Sequence, residues 1–357
     1  MKRFLRAIFS ALACLLLFSL YPQWVTAQDE AATEEPLIEP VPSDGFDLPT
    51  EFYVLTNEGQ IDRYGLGADG IRTVTPEEAF VIDFGVAPDG EWLAYRTETA
   101  LLLRNVTTEA EQTLDDTAAS VPSLRGQGKT IAWAPNGNAV AITALEGGRV
   151  YFSVDNTPLS SGAEVITQDL LEGAFYQFVW SPTGRFLAGE VADNVWWIYR
   201  REGTSLVLSS AILSSQGLAW ASSFEAVFAP AEGGLLIMNM DAANAQTVLL
   251  DESWTYNLPV LAEDGFLKFF GRQQADPLIT EGYGRLLGLR SGIAETSNLS
   301  DVAIELGGMQ WAPEGRLLVA LRDGTLSLVN PAEGTVFPLP IENAVAYDWG
   351  PLRSAAP

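Results

Sequence analysis

The chain contains no His and one Cys, against 46 Asp and Glu and 10 Trp in 357 residues. Any chemistry it performs falls to carboxylates, amides and aromatic rings. Ser-His-Asp triads, His-based metal sites and imidazole acid–base work are excluded. The one thiol, Cys14, lies in an N-terminal apolar stretch. A mature chain without that stretch has neither a disulfide nor a thiol nucleophile. There is no Gly-x-Ser-x-Gly elbow, Gly-rich phosphate loop or Asp-x-Asp-x-Asp-Gly calcium loop. No cofactor and no metal is implied.

Three groupings keep a chemical meaning. Asp251-Glu252-Ser253-Trp254-Thr255-Tyr256 sets two acids beside two aromatic rings, in a connection expected to be exposed. Aromatic anchors next to polar groups are typical of interface hot spots, so Trp254, Tyr256, Asp251 and Glu252 are candidate binding residues. The competing reading packs Trp254 into a junction between neighbouring repeats. Asp115 and Asp116 open another long connection and join the candidate set; with acids of other connections they would form an acidic rim. Asp83 and Asp348 are carboxylates that acid–base work on a sugar or lactone would use, given a shared channel. Trp196-Trp197 falls in a strand, where alternation sends the two rings to opposite sides, and core packing accounts for both.

The elements that must position these residues come from a repeat. Trp180-Ser181-Pro182-Thr183-Gly184 has clear copies at Val86-Ala87-Pro88-Asp89-Gly90, Trp133-Ala134-Pro135-Asn136-Gly137 and Trp311-Ala312-Pro313-Glu314-Gly315. Worn copies begin at Trp220, Leu261 and Trp349. Pro presets φ inside a tight turn and Gly closes it. Short apolar runs flank each turn, such as Phe175 to Val179 before it and Phe186 to Ala188 after it, and these read as strands buried on both faces. A period near ~40–45 residues with four strands per unit is the signature of propeller blades. The Trp-Ser-Pro-x-Gly turn followed by an apolar strand resembles the WD40-like repeats of TolB-type propellers, over residues 51–351. It departs from that pattern where Ala replaces Ser and where the copies at 220 and 261 lack Pro.

Seven markers predict seven blades, an all-β ring. Phe52-Tyr53-Val54-Leu55 and the two strands after it have no turn copy before them, while Ala344 to Trp349 is a first strand with no successors. The C-terminal strand is therefore expected to complete the first blade, which removes exposed sheet edges. The other blades are expected over residues 80–115, 129–169, 175–209, 216–250, 257–300 and 307–339. The Pro-Gly turns mark one face of the ring. The longer segments, Asp115 to Gly128, Asp251 to Asn257 and Gly271 to Gly284, map to the opposite face, the candidate binding face.

Ahead of the ring, Lys2, Arg3 and Arg6 precede an apolar run from Ala7 to Leu20, and Val25-Thr26-Ala27 offers a small-residue cleavage site. Residues 1–27 read as a secretory signal peptide. Residues 28–50 hold acids, four Pro and no base, and read as a disordered linker. A secreted, periplasmic or envelope-associated chain with no membrane span after cleavage is the expectation. The net charge of −26 repels nucleic acid and favours a protein or other extracellular ligand as partner. The leading functional reading is a binding or scaffolding module; the alternative is a channel-centred carboxylate hydrolase or lyase.

Overall fold

A computed structural model of the chain describes residues 48–64, 70–116, 130–144, 147–191, 195–212, 215–230, 233–249, 253–274, 282–290 and 296–352. The expected leader and residues 28–47 of the expected linker lie outside the described residues. Those described form 28 strands, β1 to β28 in chain order, grouped as seven antiparallel sheets of four. Each sheet is one blade of a propeller. Six blades are continuous in sequence, and the first joins β28 (Ala344–Trp349) to β1 (Phe52–Thr56).

The turn copies fold alike because they carry the same local chemistry. In the fourth blade, Gly184 N–H bonds Ser181 O at 2.8 Å, and Ser181 N–H bonds Phe186 O at 2.9 Å. The backbone is left-handed at Gly184, with φ of 69°, a conformation that a Cβ would strain. The Ser181 hydroxyl oxygen also accepts the Phe186 N–H. Copies with Ala at the Ser position keep the backbone bonds, for example Gly137 to Ala134 and Gly315 to Ala312. That explains why the Ser is dispensable in these copies.

The core is divided among the blade junctions. Seven apolar clusters of buried residues occur among the described residues, each shared by two neighbouring blades. One of them joins the seventh blade to the first, through Val319 and Leu328 on one side and Phe52 and Trp349 on the other. Residues of a blade strand alternate between the two flanking junctions. Trp196 accordingly packs toward the fifth blade and Trp197 toward the third.

The repeated Trp has a further role that its apolar character does not reveal. Trp133 donates its indole N–H to Gly85 O at 3.0 Å, and Trp180 donates to Ala132 O at 3.1 Å. Trp220 donates to Val179 O, and Trp311 to Leu258 O. Each bond runs from one inner strand to the inner strand of the preceding blade. Val86 stands where a Trp would, and there Asp348 supplies the link, its Oδ2 accepting Val86 N–H at 2.8 Å. At the closing blade, the Trp349 indole N–H is buried and meets no acceptor.

The ring closes in the expected way. β28 pairs with β1 in the register Phe52 to Trp349, Tyr53 to Asp348 and Val54 to Tyr347. The Phe52 and Trp349 rings lie 4.5 Å apart. The sixth blade differs from its expected limits. It begins at Trp254 and ends at Glu305, because β20 (Trp254–Leu261) takes up residues read as a loop. An irregularity between Asn257 and Val260 lengthens that strand, and Leu258 there takes a φ of 48°.

Candidate binding cavity at the ring centre

A cavity of about 1210 Å³ occupies the centre of the ring. Inner strands build its wall, and Trp133, Trp180, Trp196, Trp220, Trp311 and Trp349 all contribute to it. Its described lining contains two acids, Glu190 and Asp348, and no Lys or Arg. The two acids are held differently. Asp348 has one oxygen on Val86 N–H and the other on its neighbour Trp349 N–H, so backbone donors satisfy its charge. Glu190 receives a single side-chain donor, the Gln177 amide at 2.7 Å.

Glu190 sits where strand pairing collects polar groups. β12 (Phe175–Trp180), β13 (Phe186–Val191) and β14 (Val195–Glu202) place Gln177, Glu190 and Trp196 side by side in one row across the fourth blade. Burial pushes the Glu190 carboxyl above its ordinary range, and the Gln177 hydrogen bond offsets part of that rise. Trp196 is 2 % exposed, and its indole N–H has no acceptor. Sequence reasoning passed over Glu190 and Gln177. The available signal was one acid in the otherwise apolar strand Phe186-Leu187-Ala188-Gly189-Glu190-Val191.

The candidate residues chosen from sequence are dispersed. Asp115 ends β7 (Glu111–Asp115) and bonds the Tyr151 hydroxyl of the third blade, with Arg149 at 3.7 Å. It therefore helps tie two blades together. Asp116 beside it is exposed. Asp251 and Glu252 lie outside the described residues. Trp254 and Tyr256 begin β20 rather than a connection, and as second neighbours on a strand they share one side. Their rings stack at 6.2 Å. Tyr256 is 5 % exposed and meets Phe269 edge-on at 5.3 Å, in the core between the fifth and sixth blades. Trp254 is half-buried against the same core.

Asp83 does not share the cavity wall with Asp348. It is buried in the second blade, 3.6 Å from Arg96. Arg96 is 0 % exposed and crosses to the third blade, donating to Thr143 O at 2.8 Å and Thr130 Oγ1 at 3.2 Å. Among the described residues no group of three or more His, Cys, Asp or Glu is placed to hold a metal ion. No helix among them is long and apolar enough to cross a membrane.

Solved structures share this architecture. The chain is a seven-bladed β-propeller. It is similar to a protein of unknown function from Desulfotomaculum acetoxidans, with 13 % identity and a TM-score of 0.56 over 85 % of this chain and 99 % of that one. It is similar to the β-propeller domain of Cps50 (Swd1) from Myceliophteria thermophila, with 12 % identity and a TM-score of 0.52 over 78 % and 92 %. TolB from Acinetobacter baumannii matches with 13 % identity and a TM-score of 0.46 over 86 % and 68 %. At these identities the likeness is one of fold alone and not membership of a particular family. No protein-family model matches the chain, and no curated protein matches it.

Proposed function

We propose that this propeller is an exported, non-enzymatic binding module that presents a protein-recognition surface on the face carrying the blade-to-blade connections. The observation that carries this reading is how the two aspartates that the sequence offers for acid–base work are used. Asp348 is committed to two backbone donors and Asp83 to a buried arginine, so neither is poised as nucleophile or general base. A rigid closed ring with variable connections on one face suits recognition better than turnover. The apolar leader, residues 1–27, supports export, and the acidic surface suits a basic or neutral protein partner.

Half-buried Trp254 is the side chain to test, since it stands at the start of an inner strand on that face. Capture of partners from envelope extract by the mature chain should fall at least about tenfold for Trp254→Ala, a loss typical of a hot spot. Tyr256→Ala serves as the contrast, because its ring is core and its loss should lower thermal stability by several degrees. Capture unchanged by Trp254→Ala, in a chain that still folds, would remove Trp254 from the surface. Turnover of a sugar or lactone by the mature chain, abolished by Asp348→Asn, would favour the hydrolase or lyase reading instead.

A further inference from the structure

The wall of the central cavity is not built alike all round. In the fourth, fifth and sixth blades the inner strand carries an extra residue. Tyr176 has no partner between the pairs Phe175 with Val191 and Gln177 with Glu190. In β16 (Ser215–Trp220) the shift falls at Gly217, between Ser215 and Leu218, and in β20 Leu258 and Pro259 together oppose Phe269. The inner strands of the second, third and seventh blades, β4 (Asp83–Val86), β8 (Ile131–Trp133) and β24 (Met309–Trp311), pair without such a shift. β28 has one at Val345, outside the described cavity wall, whereas Tyr176, Gly217, Leu258 and Pro259 all belong to that wall. This crescent of three bulges is strained. Leu258 is left-handed, which disfavours a residue with a Cβ. Gly217 has a φ of 117°, and a Cβ there would lie 3.2 Å from Pro259 Cδ, so the fifth and sixth bulges are fitted to each other. Bulges and strained backbone gather where a side chain is re-aimed at a ligand.

We propose that this crescent binds a neutral oligosaccharide. Tyr176, Gln177 and Asn257 line the cavity there, and all three are half-buried. Unlike the Trp196 indole, the Tyr176 hydroxyl and the Asn257 amide are not sealed from solvent. Gln177 gives one amide proton to Glu190 and keeps its carbonyl oxygen and second proton. A side-chain amide sets a donor beside an acceptor, and a hydroxyl is both at once, so these groups suit a ligand dense in hydroxyls. The Tyr176 ring and the half-buried Trp311 ring, which is clipped to the bulge at Leu258 O, supply apolar surface for the C–H side of a sugar. The described lining has no Lys or Arg and the chain carries a net charge of −26, so an acidic sugar meets no counter-charge. A hydrocarbon ligand would leave the amides unpaired. An extended peptide is the nearest rival, and the bulges count against it. They interrupt the row of backbone groups that strand addition requires. A volume of about 1210 Å³ admits several sugar units. The inference concerns the cavity and not the outer face, so it stands or falls separately from partner capture.

Calorimetric titration of the mature chain with maltotriose, cellotriose and chitotriose tests it. A hyaluronan tetrasaccharide is the anionic probe and acetyl-trialanine amide the peptide probe. At least one neutral trimer should bind saturably at millimolar concentration, and the tetrasaccharide should bind at least about tenfold more weakly than that trimer. Asn257→Ala and Tyr176→Ala should each weaken the trimer by roughly three- to tenfold, as expected for one neutral hydrogen bond or one ring contact. Tyr176→Phe keeps the ring and should lose no more than about threefold. An unchanged circular-dichroism spectrum checks that each variant folds, and the two positions lie in different blades, so either one alone is decisive. No saturable binding of any of the three trimers at millimolar concentration overturns the proposal, as does parent affinity in both Asn257→Ala and Tyr176→Ala. Binding of acetyl-trialanine amide without binding of the trimers overturns it in favour of a peptide ligand.

Discussion

Two tryptophans that look interchangeable in the sequence should respond oppositely to the same substitution. Trp180 and Trp349 hold the same place on their inner strands, and each is 7 % exposed. Replacing either by Phe removes the same atoms, so the transfer and cavity losses largely cancel between them. What remains is the indole N–H. Trp180 gives it to Ala132 O at 3.1 Å. Losing that bond costs about 1 kcal/mol net. Trp349 gives its N–H to no acceptor. Removing that donor relieves a desolvation cost of about 1–3 kcal/mol. Trp349→Phe should therefore be more stable than Trp180→Phe by roughly 2–4 kcal/mol, or about 1 M or more in the urea midpoint. Circular dichroism at the β-sheet minimum is the suitable assay, since fluorescence changes with each indole removed. If Trp349→Phe unfolds at the same urea concentration as Trp180→Phe, or earlier, the inter-blade clip is not the reason for the repeated Trp.

Two further outcomes follow from buried charge. Glu190 has a carboxyl raised above its ordinary value of 4.5, so the folded chain holds that proton more tightly than the unfolded chain does. Its contribution to stability is lost as pH rises above about 4.5 through the raised value, and stays lost beyond it. Glu190→Gln should match the parent near pH 4.5 and exceed it in melting temperature at pH 7; parallel curves would show Glu190 to be solvated. Residual slope in the variant is expected from Glu314, which burial raises in the same direction. Arg96→Met should cost about 3–5 kcal/mol by stranding the Asp83 charge, and Asp83→Asn in the same chain should recover much of it. Additive effects of the two changes in urea unfolding would mean the pair is not coupled.

The ring was legible because its evidence is repeated. Pro, Gly and the flanking apolar runs recur in phase, and each copy supports the others, so the worn turns at Trp220 and Leu261 did not obscure the count. The closing strand was legible for a related reason: Ala344 to Trp349 carries the pattern of an inner strand, and Phe52 begins a sheet that lacks one. Side-chain roles were less accessible. Trp254 and Tyr256 read as exposed because acids precede them, yet an irregularity three residues later draws the segment into β20 and turns Tyr256 into the core. Asp115 reads as a rim acid, and its bond to Tyr151 depends on the next blade. Glu190 and Gln177 are far apart in sequence and polar for no local reason. Only the register of three strands brings them level with Trp196.

The junction of β28 with β1 also dictates an order of events. Thr50 donates its hydroxyl proton to Pro351 O across 301 positions, and Val86 waits for a carboxylate 262 positions away. A ribosome releases the first sheet long before it makes the segment that lies innermost in it. Until then that sheet offers a bare hydrogen-bonding edge, and another chain's strand fits it as well as the rightful one. Bringing the two ends together is a diffusive search over nearly the whole polypeptide, slow by comparison with forming any single hairpin. The molecule's most vulnerable interval is thus the one before β28 arrives, when crowding by sister copies would favour strand exchange over self-completion.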